Sequence, residues 1–132
     1  MSALKTTLQG YLSYKGREGH LGFVLHRLTG LGTLLFLVIH IFDMAAFYWW
    51  PTFFQDALNL YRTPPFMLGE IGLVFCVLYH GANGLRIAFV DMFAPHKWAI
   101  HAQRNAVRWT LAIAIILWLP AAIIMGSRLF GG

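Results

Sequence analysis

Three long apolar stretches, separated by polar segments rich in turn formers, organise the chain. The first covers residues 28–50 and is interrupted only by His40 and Asp43. The second covers 66–93, with Glu70 near its start and Arg86 and Asp91 near its end. The third covers about 106–127, and between Trp109 and Met125 it carries no charge. Each is near the roughly 20 residues that cross a hydrocarbon core of ~30 Å. Backbone amides find no water at that depth, so the pattern predicts helices. The expected fold class is an all-α membrane protein: one domain over residues 1–132, with three transmembrane helices forming a helical bundle. Pro120 is the only proline inside a span, and a membrane helix accommodates one with a kink. Residues 51–65 hold three prolines with Gln55, Asp56, Asn59 and Arg62, a composition that predicts a turn-rich loop. A second loop is expected over 94–108, around Pro95, Lys97, His101 and Arg104. Near the start, Leu4, Leu8, Tyr11 and Leu12 recur at i, i+4, i+7 and i+8, which predicts a short interfacial helix within residues 1–20.

Composition narrows the class further. Of 132 residues, 58% are hydrophobic and 11% are charged, against about 25% charged in a soluble domain. A water-soluble globule and a disordered chain are excluded, and lipid must cover part of the apolar surface. The single cysteine excludes a disulfide framework, a CxxC pair and a Cys-ligated cluster held by this chain alone. The net charge is +5, and its distribution matters more than its sum. Lys5, Lys15, Arg17, Arg27, Arg86, Lys97, Arg104 and Arg108 fall on the side of the N-terminus and second loop, leaving Arg62 and Arg128 opposite. The positive-inside rule places that side in the cytoplasm or an organelle matrix. Positives spread in this way mark topology, and no nucleic-acid partner is expected. The first apolar core begins too late and runs too long for a signal peptide.

Six histidines are the feature such a composition leaves unexplained. His40 and His80 lie within spans, where ionisable groups are costly and commonly functional. Helical spacing places His26, Thr29, Gly30, Thr33, Leu37 and His40 on one face of the first span. Gly69, Gly72, Cys76, His80, Asn83, Gly84 and Asp91 line one face of the second. Small residues beside a histidine permit close helix packing or the approach of a flat macrocycle, and imidazole is a haem axial ligand. Equally, a membrane histidine can serve only as an interhelical hydrogen bond of about 0.6–2 kcal/mol. Arg27 and Arg86 each read either as an arginine snorkelling to the headgroups or as a clamp for an anion or carbonyl. His20, His96 and His101 read as peripheral, and Cys76 as a small packing residue.

His26-Arg27-Leu28-Thr29-Gly30 resembles the HR[IVL][ST]G signature of the cytochrome b subunit of succinate dehydrogenase. Tyr79-His80-Gly81-Ala82-Asn83-Gly84-Leu85-Arg86, with Asp91 beyond it, resembles that family's H-x-x-x-G-[IVL]-R-x-x-x-x-D element. Both occur in order on the expected spans, so the likeness covers roughly residues 21–125 and has an actinobacterial rather than mitochondrial style. It implies a membrane-anchor subunit in a bacterial inner membrane, N-terminus cytoplasmic, working with a second anchor subunit, an iron–sulfur subunit and a flavoprotein subunit. It also implies haem b, with His80 as axial ligand of the haem iron and the other ligand supplied by the partner anchor. His26 and Arg86 then match positions near the haem propionates, and Arg27 matches an arginine of the quinone pocket. The serine that many members place in that pocket falls at Phe23. In members with two haems a first-span histidine binds the second, a role that would fall to His40. Three alternatives stand beside this reading: a haem-free structural anchor, the same subunit in a quinol:fumarate reductase, and a small transporter with histidines along a proton path.

Overall fold

The computed structural model describes residues 3–13 and 18–131. Among these residues five α-helices follow one another: α1 (Ala3–Ser13), α2 (Glu18–Trp49), α3 (Pro51–Tyr61), α4 (Pro64–Phe93) and α5 (Ile100–Phe130). A 3₁₀ turn over Pro95–Trp98 joins the last two. Among the described residues, three helices are long and apolar enough to cross a membrane, over Gly19–Trp49, Pro64–Phe93 and His101–Phe130. The protein is therefore a helical membrane protein, as its hydropathy pattern predicts. At 1.5 Å per residue, α2 is about 48 Å long and overshoots a ~30 Å hydrocarbon core. The early helix is present as α1, while the side chains of Leu4, Leu8, Tyr11 and Leu12 lie outside the described residues.

Two expectations need correction. Residues 51–65 are not a loop: Pro51 occupies the first turn of α3, and Pro64 and Pro65 open α4. Proline lacks only an N–H that the first turn leaves unbonded anyway, and its fixed φ suits a helix start. Each preceding residue is pushed away from helical geometry, Trp50 to φ −139°, ψ 68° and Thr63 to φ −79°, ψ 147°. The prolines thus mark two helix beginnings. Within α3, Phe54, Ala57, Leu58 and Tyr61 form a half-buried face at i, i+3, i+4 and i+7. The second connection is also shorter than expected, because α5 begins at Ile100 and carries His101, Gln103, Arg104 and Arg108 on helix.

α4 is the central helix and packs against both α2 and α5. The antiparallel order brings the start of α2, the end of α4 and the start of α5 to one end of the bundle. α3 and the end of α5 lie at the other end. Few residues are buried among the described ones, and most are small or polar: Thr29, Ala46, Asn83, Ala94, Thr110 and Ala114, with Val90, Val107 and Tyr79 the larger ones. The leucines and isoleucines of the spans face outward, as lipid contact requires. Such helices associate by close packing and hydrogen bonds rather than by an apolar core. Thr29, Thr33 and Thr110 donate to carbonyls one turn back in their own helices, so the buried Thr29 and Thr110 and the half-buried Thr33 have no unmet hydroxyl. Trp118 ties α5 to α4 by donating its indole N–H to the Ile71 carbonyl at 2.9 Å.

The approach of α2 to α4 is set by glycine. A Cβ on Gly32 would lie 2.7 Å from Cys76 Sγ and 3.1 Å from its Cβ. At the far end Tyr61 donates its hydroxyl to the Asp43 carboxylate, at 3.0 and 3.1 Å from the two oxygens, and so fastens α3 to α2. Burial raises the Tyr61 pKa above its ordinary 10.0, with further contributions from the hydrogen bond to Asp43 and the charges of Asp43 and Glu70.

Gly32→Ala should destabilise the purified protein by about 1 kcal/mol, the overpacking cost less the gain in helix propensity. Thermal melting in detergent checks this, and adding Cys76→Ala should recover part of the loss. Because the folded-state pKa of Tyr61 is raised, the fastening of α3 should persist below the unfolded pKa of about 10 and be lost as pH rises above it. Tyr61→Phe should loosen it by about 1 kcal/mol below that pH and remove the pH dependence, read as faster hydrogen exchange across α3.

Candidate functional site

Where α2 meets α4, His26 and His80 stack with ring centroids 4.2 Å apart and planes within 6°. His80 Nδ1 lies 3.1 Å from the backbone carbonyl oxygen of His26. A carbonyl can only accept, so Nδ1 carries the proton, and the neutral ring keeps its lone pair on Nε2. Metal-binding histidines are held in the same way, with the second nitrogen donating to a carbonyl that fixes tautomer and ring orientation. A stack on the face of a ring does not block a ligand bound in its plane. Glycine again makes the contact possible: a Cβ on Gly30 would lie 2.9 Å from His80 Cε1 and 3.2 Å from Nδ1. On the other helix, Gly84 passes closest to His26, where a Cβ would stand 3.8 Å from its Cε1.

One turn beyond His80 lies a hydrogen-bonded cluster. Arg86 donates Nε–H to Asn83 Oδ1 at 3.1 Å and Nη1–H to Gln103 Oε1 at 2.7 Å. Asn83 is only 1% exposed. These three residues, with His26, Phe23 and Val107 among others, line a cavity of about 270 Å³. The cavity opens at the end of the bundle where α2 and α5 begin. Nδ1 of His26 is buried and finds no hydrogen-bond partner. A buried polar atom without a partner costs about 1–3 kcal/mol, a cost that a ligand with a hydrogen-bonding group would remove. The cluster can therefore present a guanidinium and an imidazole to an electron-rich oxygen, beside a second imidazole holding its Nε2 lone pair.

The structure thus brings His26, His80 and Arg86 together and leaves two expected site residues apart. Arg27 is exposed and does not line the cavity; its guanidinium sits over the Phe23 ring, 5.5 Å from the centroid. Phe23 does line it, so Arg27 stands behind that wall. His40 lies toward the opposite end, on a separate cavity of about 380 Å³ with Asp43, Tyr61, Gly69 and Glu70. Its ring stacks on Phe36 with centroids 5.6 Å apart. Gly69, at the level of His40, is 11 residues from His80, about 16 Å along α4. The small-residue faces hold only in part. Gly30 and Cys76 pack closely and Gly84 makes ordinary contact with His26, whereas Gly69 and Gly72 have nothing within 4 Å of a built Cβ; Gly32, which meets Cys76, lies off the expected face. Among the described residues no group of three or more His, Cys, Asp or Glu side chains is arranged to hold a metal ion.

Gln103 escaped the sequence reading because residues 94–108 read as loop. A signal was present, however. Gln103, Val107, Thr110 and Ala114 recur at i, i+4, i+7 and i+11, a helical stripe of small and polar residues crossing the supposed boundary. Val107, Thr110 and Ala114 are indeed buried.

A family model described as succinate dehydrogenase/fumarate reductase transmembrane subunit matches residues 6–121. The succinate dehydrogenase 2 membrane subunit SdhC of Mycobacterium tuberculosis is 29% identical over 118 residues, covering 89% of this chain and 84% of the relative. The succinate dehydrogenase hydrophobic membrane anchor subunit of Thermoplasma acidophilum is 28% identical over 116 residues, covering 87% of each chain.

Gly30→Ala should displace the His80 ring and break its bond to the His26 carbonyl. In protein carrying ¹⁵N-labelled histidine, the native chain should show the His80 Nδ1 as a protonated nitrogen. The variant should show that signal shifted or averaged between tautomers.

Proposed function

The chain belongs to the succinate dehydrogenase/fumarate reductase transmembrane-subunit family, and on that premise we propose that it binds haem b and helps form the quinone site of a succinate:quinone oxidoreductase. The observation that carries the haem reading is the His80–His26 pair. The His26 carbonyl takes the Nδ1 proton, Gly30 leaves the ring its room, and Nε2 keeps its lone pair for iron. The residues present therefore fit the group: His80 would hold it from this chain, and a second anchor subunit would complete the site. Bound there, haem b would supply a one-electron carrier whose potential answers to its axial ligands and burial.

The chain's own residues have definable work. His80 would bind through Nε2, in the tautomer that the His26 carbonyl of α2 sets. Asn83 and Gln103 orient Arg86, which offers N–H groups to carboxylate or carbonyl oxygens at the bundle end. A quinone headgroup fits the cavity lined by Phe23, His26 and Arg86. Reduction of a quinone to a quinol places negative charge and then protons on its two oxygens, so hydrogen-bond donors facing them favour the reaction. Arg27, behind Phe23, adds positive charge to that wall.

By the positive-inside rule this end faces the cytoplasm. There an iron–sulfur subunit would dock and deliver electrons drawn from succinate by a flavoprotein subunit. The setting is a bacterial inner membrane, on the likeness to a mycobacterial relative. His40 has neither the glycine gap nor the carbonyl bond seen at His80, so one haem, at His80, is the reading. The His80–His26 bond also serves as an interhelical contact, which supports the second reading of a haem-free structural anchor.

Haem iron per purified complex, with reduced-minus-oxidised spectra, separates these readings. His80→Ala should abolish the haem and its α band, while His40→Ala should retain both. Full haem content in His80→Ala, or a wild-type complex without haem, would return the histidine pair to a purely structural role.

A further inference from the structure

The guanidinium of Arg86 is held in an unusual manner for a cation within a membrane helix. Its two resolved side-chain partners are amide oxygens, Asn83 Oδ1 at 3.1 Å and Gln103 Oε1 at 2.7 Å. Neither carries a charge. A carboxylate at either position would make the same hydrogen bond but cancel the positive charge. The amides fix the plane of the guanidinium and leave its charge standing, in a place where low dielectric strengthens its field. Asn83 is on the same helix as Arg86, whereas Gln103 reaches across from α5. Gln103 therefore sets where the guanidinium sits relative to the cavity that all three residues line with His26.

We infer that Gln103 is a positioning residue that holds Arg86 in place, un-neutralised, for an electron-rich ligand oxygen in the His26–Arg86 cavity. This rests on the cavity being the ligand site named above. The oxygen belongs either to a quinone carbonyl or to a haem propionate, which share the chemistry of accepting from a guanidinium. The side chain acts through Arg86 and touches neither iron nor the reacting ring. Two features make glutamine the fitting residue. Its length spans the gap from α5 to α4, and its amide accepts strongly without adding charge.

The test uses the whole purified complex and the near-isosteric Gln103→Glu, with Gln103→Leu as a second variant, each alone and with Arg86→Gln. Three readouts are taken: equilibrium binding of a short-chain quinone analogue, redox titration of the haem, and thermal melting. Gln103→Glu should melt close to wild type, because the hydrogen bond survives, yet lose ligand interaction because the cation is neutralised. Weakening of quinone binding by about tenfold, with the haem potential unchanged, supports the inference and identifies the quinone oxygen. A lowered haem potential with quinone binding unchanged supports it and identifies the propionate. Gln103→Leu should weaken the same interaction by releasing the guanidinium. In the Arg86→Gln background both substitutions should have no further effect on ligand readouts, as expected of one unit. A Gln103→Glu complex that matches a haem- and quinone-binding wild type in both ligand readouts overturns the inference alone. An undiminished effect in the Arg86→Gln background does the same. A wild-type complex that binds neither haem nor quinone overturns the functional reading and the inference together.

Discussion

Everything at the site depends on how closely α2 approaches α4. At Gly30 the backbone of α2 passes so near His80 that even a methyl group would meet its Cε1 at 2.9 Å. Two residues on, Gly32 allows the same intimacy with Cys76. Only at that separation can the His80 imidazole reach a carbonyl of the neighbouring helix, and only then can the His26 ring lie flat against it. A carbonyl already engaged within a helix has a second lone pair to offer, so the bond costs the helix nothing. The glycines therefore do more than allow packing. They decide which nitrogen of His80 is protonated, and hence which one can serve as a ligand.

Lipid as the outer phase explains why so much depends on small residues. A soluble bundle would bury its leucines and draw stability from removing them from water. Here the leucines already contact an apolar medium, and gathering them between helices gains little. What remains available is dispersion between close backbones, together with hydrogen bonds such as Trp118 to Ile71 and Tyr61 to Asp43. The threonines fit the same economy, returning their hydroxyl protons to their own helix and presenting only a methyl group to the neighbour. Family membership implies companion subunits, and the exposed faces of α2 and α5 are apolar enough for either lipid or a neighbouring helix.

Much of this was legible in the sequence, and the failures have identifiable causes. Hydropathy located the three spans because twenty apolar residues have few alternative fates. The spacing of His26, Gly30, His80 and Gly84 put those residues on facing stripes, and they do meet. The close contact is shorter than the stripes, however. Periodicity says which residues share a face but not where two helices cross, so Gly69, Gly72 and His40 fell outside the close contact. Residues 51–65 read as a loop yet form helix, because proline is both a breaker and a starter. The periodicity of Phe54, Ala57, Leu58 and Tyr61 would have decided between the two. Arg27 and Arg86 looked equivalent as interfacial arginines. Their difference comes from rotation about their helices and from an acceptor on α5, a tertiary fact that no local pattern encodes.

The contrast between those two arginines shows how the fold separates anchoring from chemistry. Arg27 lies on the outside over the Phe23 ring, where headgroups and water can solvate it. Arg86 lies between helices, where its long side chain would otherwise have many rotamers and its charge few partners. Pairing it with a carboxylate would be the simplest way to keep a cation there, and would also extinguish its field. Two neutral amides give up that Coulombic stabilisation and keep the field. Such an arrangement is stable only if the remaining cost is met by helix packing, by headgroups at the bundle end, or by a ligand bearing negative charge. The last of these also meets the unpartnered Nδ1 of His26 on the same cavity. The un-neutralised guanidinium of Arg86 and the unpartnered imidazole of His26 thus border one cavity, where a single electron-rich oxygen would serve both.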